Sequence, residues 1–341
     1  NAWSKTMGSK NVVVAVLDSG ITVHPDLDNQ VIPGYDFVSD PTSSNDGDGW
    51  DANNADPGDY YGSEPSSWHG THVAGIIAAQ SNDIGVTGVA PNVKIMPVRA
   101  LGSDGGNSSD LIAALRWSAG IHVTGVPDNK TPAQVVNLSM GTDSYTPCRL
   151  RGQNLGATEV ALADLKAAGV TVISAAGNFN VPASESYPGN CYPTINVAAT
   201  GKTGKPTFYS NFGNAVDIAA PGGDYCYSIG SQQATGQIYS TLNDGTTAPG
   251  NASYGYELGT SMAAPNVAGV VALMYSALLR KTPTVAKNAD LVTKMWTALS
   301  TTVTPLASTS PPAAPFGGSC GPSGAGSQSY GAGIVDAERA V

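Results

Sequence analysis

The sequence predicts an α/β fold: a three-layer, doubly wound, mostly parallel β-sheet flanked by helices. Two observations carry this. Short runs of apolar and β-branched residues recur at 11–18 (NVVVAVLD), 93–98, 135–138, 170–175, 195–199 and 216–219. Such runs, unbroken by polar alternation, suit parallel strands buried on both faces. Between several of them lie helical patterns, at 72–79, 110–119 and 158–168, and strands alternating with helices build a doubly wound sheet. No linker, repeat or break in composition divides the chain, so residues 1–341 are expected to form a single domain.

Taken in order, the first strand ends at Asp18-Ser19-Gly20. Residues 39–68 form a long acidic loop rich in Asp, Asn, Gly and Pro, and 225–256 is a polar stretch with room for a β-hairpin. Loops of that length inside a compact domain are usually functional or mobile. The first two helical patterns follow Thr or Ser cap candidates, and the third begins near Thr158. Gly259-Thr260-Ser261-Met262-Ala263-Ala264-Pro265 then reads as a tight turn feeding a long buried helix. Ser261, at the helix start, is either an N-terminal cap or a nucleophile beside free N–H groups and positive dipole character. Residues 305–329 are rich in Pro, Gly and Ser, with Cys320 as a tie, and the chain closes on a turn and a short helix.

Composition narrows the function. The 341 residues are 41% hydrophobic and only 12% charged, with 41 glycines, which describes a real core and many tight turns. The formal net charge is -10, and no Lys/Arg cluster offers a nucleic-acid footprint. No apolar run approaches the ~20 residues of a membrane span. The chain opens at Asn1 without a visible leader, as a processed mature form does. Its four cysteines, Cys148, Cys191, Cys226 and Cys320, include no C-x-x-C pair. That argues against a zinc or thioredoxin motif. It fits two disulfides formed in an oxidising, extracellular compartment, with four buried free thiols as the alternative.

In a doubly wound sheet the active site lies beyond the C-terminal ends of the strands. Asp18, Ser139-Met140-Gly141 and Gly177-Asn178 follow such ends. Acyl transfer by a serine needs a base for its proton, a carboxylate to orient that base, and donors for the oxyanion. Asp18, His69 and Ser261 supply the first three groups, although each alone also reads as a cap. Together, Asp18-Ser19-Gly20-Ile21, His69-Gly70-Thr71-His72-Val73-Ala74-Gly75 and the block around Ser261 resemble the three signature blocks of the subtilisin-like serine proteases. The order Asp, His, Ser is that of the family. Further matches, among them His24-Pro25-Asp26-Leu27, Asn137-Leu138-Ser139-Met140-Gly141 and Ala175-Ala176-Gly177-Asn178, extend the likeness from about residue 11 to the closing helix.

The resemblance implies a secreted endopeptidase acting through an acyl-enzyme intermediate, with Ser261 as nucleophile, His69 as general base and acid, Asp18 as its orienting carboxylate and Asn178 as oxyanion donor. An extended peptide would pair with Gly105-Gly106-Asn107 and Ser139-Met140-Gly141. The specificity pocket would have walls at Ser139-Met140-Gly141 and Ala175-Ala176-Gly177, with Ser186 towards its base. None of these is charged, which implies broad cleavage after large apolar or aromatic side chains. The alternatives are a catalytically dead binding relative, a processing protease of limited specificity, or an esterase. The last lacks its Gly-x-Ser-x-Gly elbow here. The expected partners are protein or peptide substrates and the chain's own propeptide, as folding aid and inhibitor, and the expected state is a monomer.

The resemblance further implies structural calcium. A first site would use Asp26 and Asn82 side chains with the carbonyls of Ile84 and Val86. A second would use Asp46, Asp48, Asp51, Asp56 and Asp59 of the acidic loop, although the closing Glu of an EF-hand is absent, its place falling on Pro57. Of the three possible disulfide pairings, Cys148–Cys191 with Cys226–Cys320 is the expected one. The first bridge would stiffen the pocket and contribute up to about 4 kcal/mol by restricting the unfolded chain.

Overall fold

All six apolar runs become strands of one sheet. In the computed structural model, which describes residues 1–142, 145–148, 156–225, 236–307 and 329–341, these are Val13–Asp18 (β1), Lys94–Arg99 (β3), Val135–Leu138 (β4), Thr171–Ala175 (β5), Ile195–Thr200 (β6) and Ile218–Pro221 (β7). A two-residue strand, Tyr35–Asp36 (β2), adds to one edge. The order is β2-β3-β1-β4-β5-β6-β7, with every neighbouring pair parallel. The chain reverses its direction of winding between β1 and β4, which opens the crevice where such folds place their sites.

The helices are Ala2–Lys5 (α1), Pro41–Ser44 (α2), His69–Ala78 (α3), Ser108–Ser118 (α4), Ala157–Ala167 (α5), Thr260–Lys281 (α6), Ala289–Thr301 (α7) and Ala337–Ala340 (α8). Strand pleating divides the core. Val14 and Val16 of β1 face one apolar cluster with α3 and α6. Val13, Ala15 and Leu17 face another with α4 and α5. This alternation produces three layers from strands whose sequence is apolar throughout. Each Val, Leu or Ile so buried contributes roughly 1.5–3 kcal/mol.

Two expectations need correction. The capping residues are not the Thr and Ser anticipated. Trp68 precedes α3 in the left-handed region (φ 55°) and makes no side-chain cap bond, whereas Asn107 caps α4 through Asp110 N–H. Thr71 instead accepts from Thr22 N–H at 2.9 Å. And α6, at 22 residues, is long and apolar enough to cross a membrane by length and composition alone. Its apolar residues are buried against β4, β5, β6 and β7 and against α3, so the character has a sufficient cause in the core.

The polar stretch before α6 holds an antiparallel hairpin, Ile238–Asn243 (β8) with Ala252–Glu257 (β9). It docks on α3 through Ser240 Oγ to His72 O (2.8 Å) and Thr241 Oγ1 to Thr71 O (2.7 Å). The hairpin thus connects the helix that begins at His69 to the chain leading into Ser261.

Candidate active site

Asp18 closes β1 and is fully buried. Its Oδ1 accepts the Ser19 N–H and the His69 Nδ1–H, each at 2.8 Å. His69 is the first residue of α3, and its side chain is 22% exposed. The left-handed turn before it is anchored by the buried Trp68 indole, which donates to Gly245 O at 2.8 Å. With Nδ1 protonated towards the carboxylate, Nε2 is left as the imidazole's free base. Burial opposes charging this ring. The attraction and hydrogen bond of Asp18, with Glu257 and Asp59 beyond it, outweigh that and raise His69 to about 9. His72, one turn on, is buried, and desolvation lowers it to about 4. It is a neutral core residue.

Ser261 is the second residue of α6, and Gly259 occupies the cap position with no side-chain cap bond. The cap reading of Ser261 therefore fails. Its hydroxyl donates to Ser139 O at 3.1 Å, while Ser139 Oγ donates back to Ser261 O at 2.7 Å. Pro265 explains the second bond: four residues on, it has no N–H to offer the Ser261 carbonyl. Asn137 Nδ2 in turn donates to Ser139 Oγ at 2.9 Å. Among the described residues no hydrogen bond joins Ser261 to His69. Such bonds are often long before substrate arrives.

Asn178 follows β5. Its Oδ1 accepts both the backbone N–H and the hydroxyl of Thr260, each at 2.8 Å. The N–H is a donor only, so the carboxamide oxygen is fixed on Thr260 and the NH₂ group is left for the cleft. Thr260 Oγ1 also accepts Gly177 N–H at 3.0 Å. Thr260 was not anticipated, although it lies inside the block that named Ser261.

These groups line one cleft of about 590 Å³, together with Gly105, Gly106, Asn107, Ser139, Met140, Gly141, Ala175 and Gly177. Two expected pocket residues are placed otherwise. Ala176 is fully buried behind the wall, and Ser186 is 2% exposed. The Ser186 hydroxyl donates to Thr142 O at 3.3 Å, between Gly141 and Gly177, where an added Cβ would come within 3.0 and 2.8 Å of it. Tyr187 and Pro188 line the cleft in its place. Asp59 lines it too, oriented by Ser67 N–H at 2.6 Å and Ser67 Oγ at 2.5 Å.

The two expected calcium sites differ. At the first, Asp26 is fully buried, and among the described residues no basic side chain pairs with it. Asn82 Nδ2 (2.8 Å), Val86 N–H (3.0 Å) and Tyr254 OH (3.2 Å) surround its carboxylate, and Ile84 N–H bonds Asn82 Oδ1 at 3.0 Å. No cationic side chain among the described residues balances this buried carboxylate; three neutral donors hold it, and the Asn82 amide oxygen is taken by Ile84 N–H. The second site is corrected. Buried Arg99 takes Asp46 at 2.8 Å and also binds Asp36. Asp56 turns inward to Ser19 Oγ at 2.7 Å, Asp59 turns to Ser67, and Asp51 Oδ1 accepts Asn53 N–H at 2.8 Å. Asp48 is left exposed, its pKa raised, and among the described residues no three acidic, His or Cys side chains gather to hold a metal. A guanidinium neutralises part of this loop, and side-chain and backbone donors disperse the rest.

A disulfide joins Cys148 to Cys191 across 43 residues, with Cα atoms 5.1 Å apart. It ties the segment after the Ser139–Gly141 wall to the turn after Tyr187-Pro188. Cys226 and Cys320 lie outside the described residues.

A model of the subtilase family, Peptidase_S8, matches residues 9–319. The chain belongs to the subtilase family. This subtilase is 43% identical over 350 residues to an "Extracellular protease" of Xanthomonas campestris pv. campestris, covering 100% of this chain and 52% of the relative. It is 39% identical over 308 residues to an "Extracellular basic protease" of Dichelobacter nodosus, covering 86% and 48%. The chain thus spans about half the length of these curated relatives. Among solved structures, a protease from Pseudoalteromonas arctica PAMC 21717 superposes with a TM-score of 0.83 at 39% identity, covering 100% of this chain and 91% of that one. The parallel sheet flanked by helices is accordingly the subtilisin-like fold.

Proposed function

We propose that this subtilase is a secreted, monomeric serine endopeptidase of broad specificity, made with a propeptide that aids folding and inhibits it. One observation carries the reading: a buried carboxylate holds the His69 imidazole through Nδ1 at 2.8 Å, in the cleft that also presents Ser261 and Asn178. A substrate strand pairing with Ser139 would claim the carbonyl that now accepts the Ser261 hydroxyl. Released, Ser261 Oγ transfers its proton to His69 Nε2 and attacks the scissile carbonyl. The Asn178 NH₂ and the Ser261 N–H receive the developing oxyanion. His69 then protonates the leaving amine, and water repeats the sequence on the acyl-enzyme.

The pocket between Ser139–Gly141 and Ala175–Gly177 carries no charge, which favours large apolar or aromatic side chains on the acyl side of the cut. The test is incubation with casein and a mixed peptide library, with and without a serine-directed inhibitor. Turnover abolished by labelling of Ser261, with cuts after Phe, Tyr, Leu or Met, is expected. Unlabelled Ser261 with full turnover, or cuts dominated by Arg, would overturn the respective part.

Calcium belongs to this reading at the first loop only. Asp26, Asn82 and the carbonyls of Ile84 and Val86 would hold it, and the ion would supply a counter-charge for buried Asp26. A ligand binding only the folded state at 100 times its Kd stabilises by about 2.7 kcal/mol. Chelation is therefore expected to lower the thermal midpoint by several degrees, and Asp26→Ala to abolish that sensitivity. An unchanged midpoint removes the ion from the reading.

A further inference from the structure

We propose that Asn211 is the positioning residue of the oxyanion site. The inference rests on Asn178 being the oxyanion donor. Asn211 follows β6 in the turn towards β7, is fully buried, and lies 33 positions from Asn178 in sequence. Its carboxamide straddles the segment that carries Asn178. Nδ2 donates to Ala176 O at 2.8 Å. Oδ1 accepts Phe179 N–H at 3.0 Å and Val181 N–H at 3.1 Å. The Asn211 backbone N–H donates to Gly177 O at 2.9 Å. Four hydrogen bonds from one residue thus hold the chain on both sides of Asn178.

The fit is close enough to dictate a neighbour. Gly177 has φ 101°, and a Cβ there would lie 2.3 Å from Asn211 Nδ2. The left-handed conformation and this contact both require glycine. Two anchors then divide the work. Thr260 fixes the Asn178 carboxamide oxygen, and Asn211 fixes the backbone from which that side chain projects. An oxyanion donor acts by being held at the site of developing charge before the reaction, so its contribution depends on how little it has to reorganise. Asn211 touches neither substrate nor reacting atoms and acts through Asn178 alone.

The experiment is a double-mutant cycle on the full chain, with kcat, KM and thermal midpoint measured for Asn178→Ala, Asn211→Ala and the pair. Asn178→Ala is expected to lower kcat about 10²–10³-fold. Asn211→Ala is expected to lower kcat at least tenfold with little change in KM, and to add nothing in the Asn178→Ala background. Should Asn211→Ala fail to fold, Asn211→Asp keeps the shape and both acceptor bonds, loses the donor to Ala176 O, and is read through the same cycle. Losses that multiply, a change confined to KM, or an unchanged kcat in a folded variant overturn the proposal. If Asn178→Ala itself keeps full kcat, the oxyanion reading fails, a result visible without any Asn211 variant.

Discussion

Replacing Ser261 with alanine is expected to lower kcat about 10⁶-fold while leaving the fold intact. The hydroxyl makes one bond in the resting structure, to Ser139 O, and is not the cap of α6. The backbone bond from Ser139 Oγ to Ser261 O does not involve the side chain and survives the exchange. Losing one hydroxyl bond costs about 1 kcal/mol, and alanine's better helix propensity returns part of it. Activity and stability should therefore separate: an almost unchanged thermal midpoint, KM near that of the parent for any residual turnover, and hydrolysis close to undetectable. A folded Ser261→Ala protein that still cleaves casein would end the assignment of the nucleophile.

Asp18→Asn should cost about 10⁴-fold in kcat, through lost charge and lost control of the His69 tautomer. Both donors, Ser19 N–H and His69 Nδ1–H, end on the same oxygen. An asparagine there accepts from both donors only with its carbonyl inward; with its NH₂ inward it holds the wrong tautomer, and in neither orientation does it stabilise the imidazolium. The pH profile gives a second readout. In the parent, burial disfavours the charged ring but the Asp18 charge dominates and raises His69 to about 9. The base must be neutral to work, so kcat/KM should rise with its midpoint near pH 9 and level off only above it. The stability linked to this group has the opposite sign. Its pKa is higher folded than the ordinary 6.5, so the contribution is fully present below about 6.5 and is lost as pH rises through about 9. In Asp18→Asn both midpoints should move down. A profile that does not move would show that Asp18 does not set the protonation of His69.

How much of this was legible in the sequence follows from what each feature depends on. Strand positions were readable because a strand buried on both faces must be apolar along its whole length, as at Val135–Leu138. Asp18, His69 and Ser261 were readable because each sits in an extended block whose neighbours are constrained by the same turn. Features made by partners far apart in sequence were not. The acidic loop read as a cation site because nothing nearby in sequence announces Arg99, which neutralises Asp36 and Asp46 from β3. Ser186 read as a pocket residue, but its hydroxyl turns to Thr142 O. Thr260 was given no role of its own, because its partner Asn178 lies 82 residues away in sequence. Asn211 drew no reading at all, since its four bonds reach residues 176–181 from another loop.

The helix that carries Ser261 has a bearing on how long such a molecule lasts in its own company. Segments open to solvent with free energies ranging from near zero at frayed ends to the full unfolding free energy in the core. α6 runs through the core from Thr260, buried along most of its length, so its amides should belong to the slowest-exchanging class. On the proposed activity, self-digestion by a neighbouring copy would begin in surface loops and reach the segment of Ser261 only when the core around α6 opens. Nicks in loops away from the cleft should accordingly leave α6 and its serine in place until the core melts.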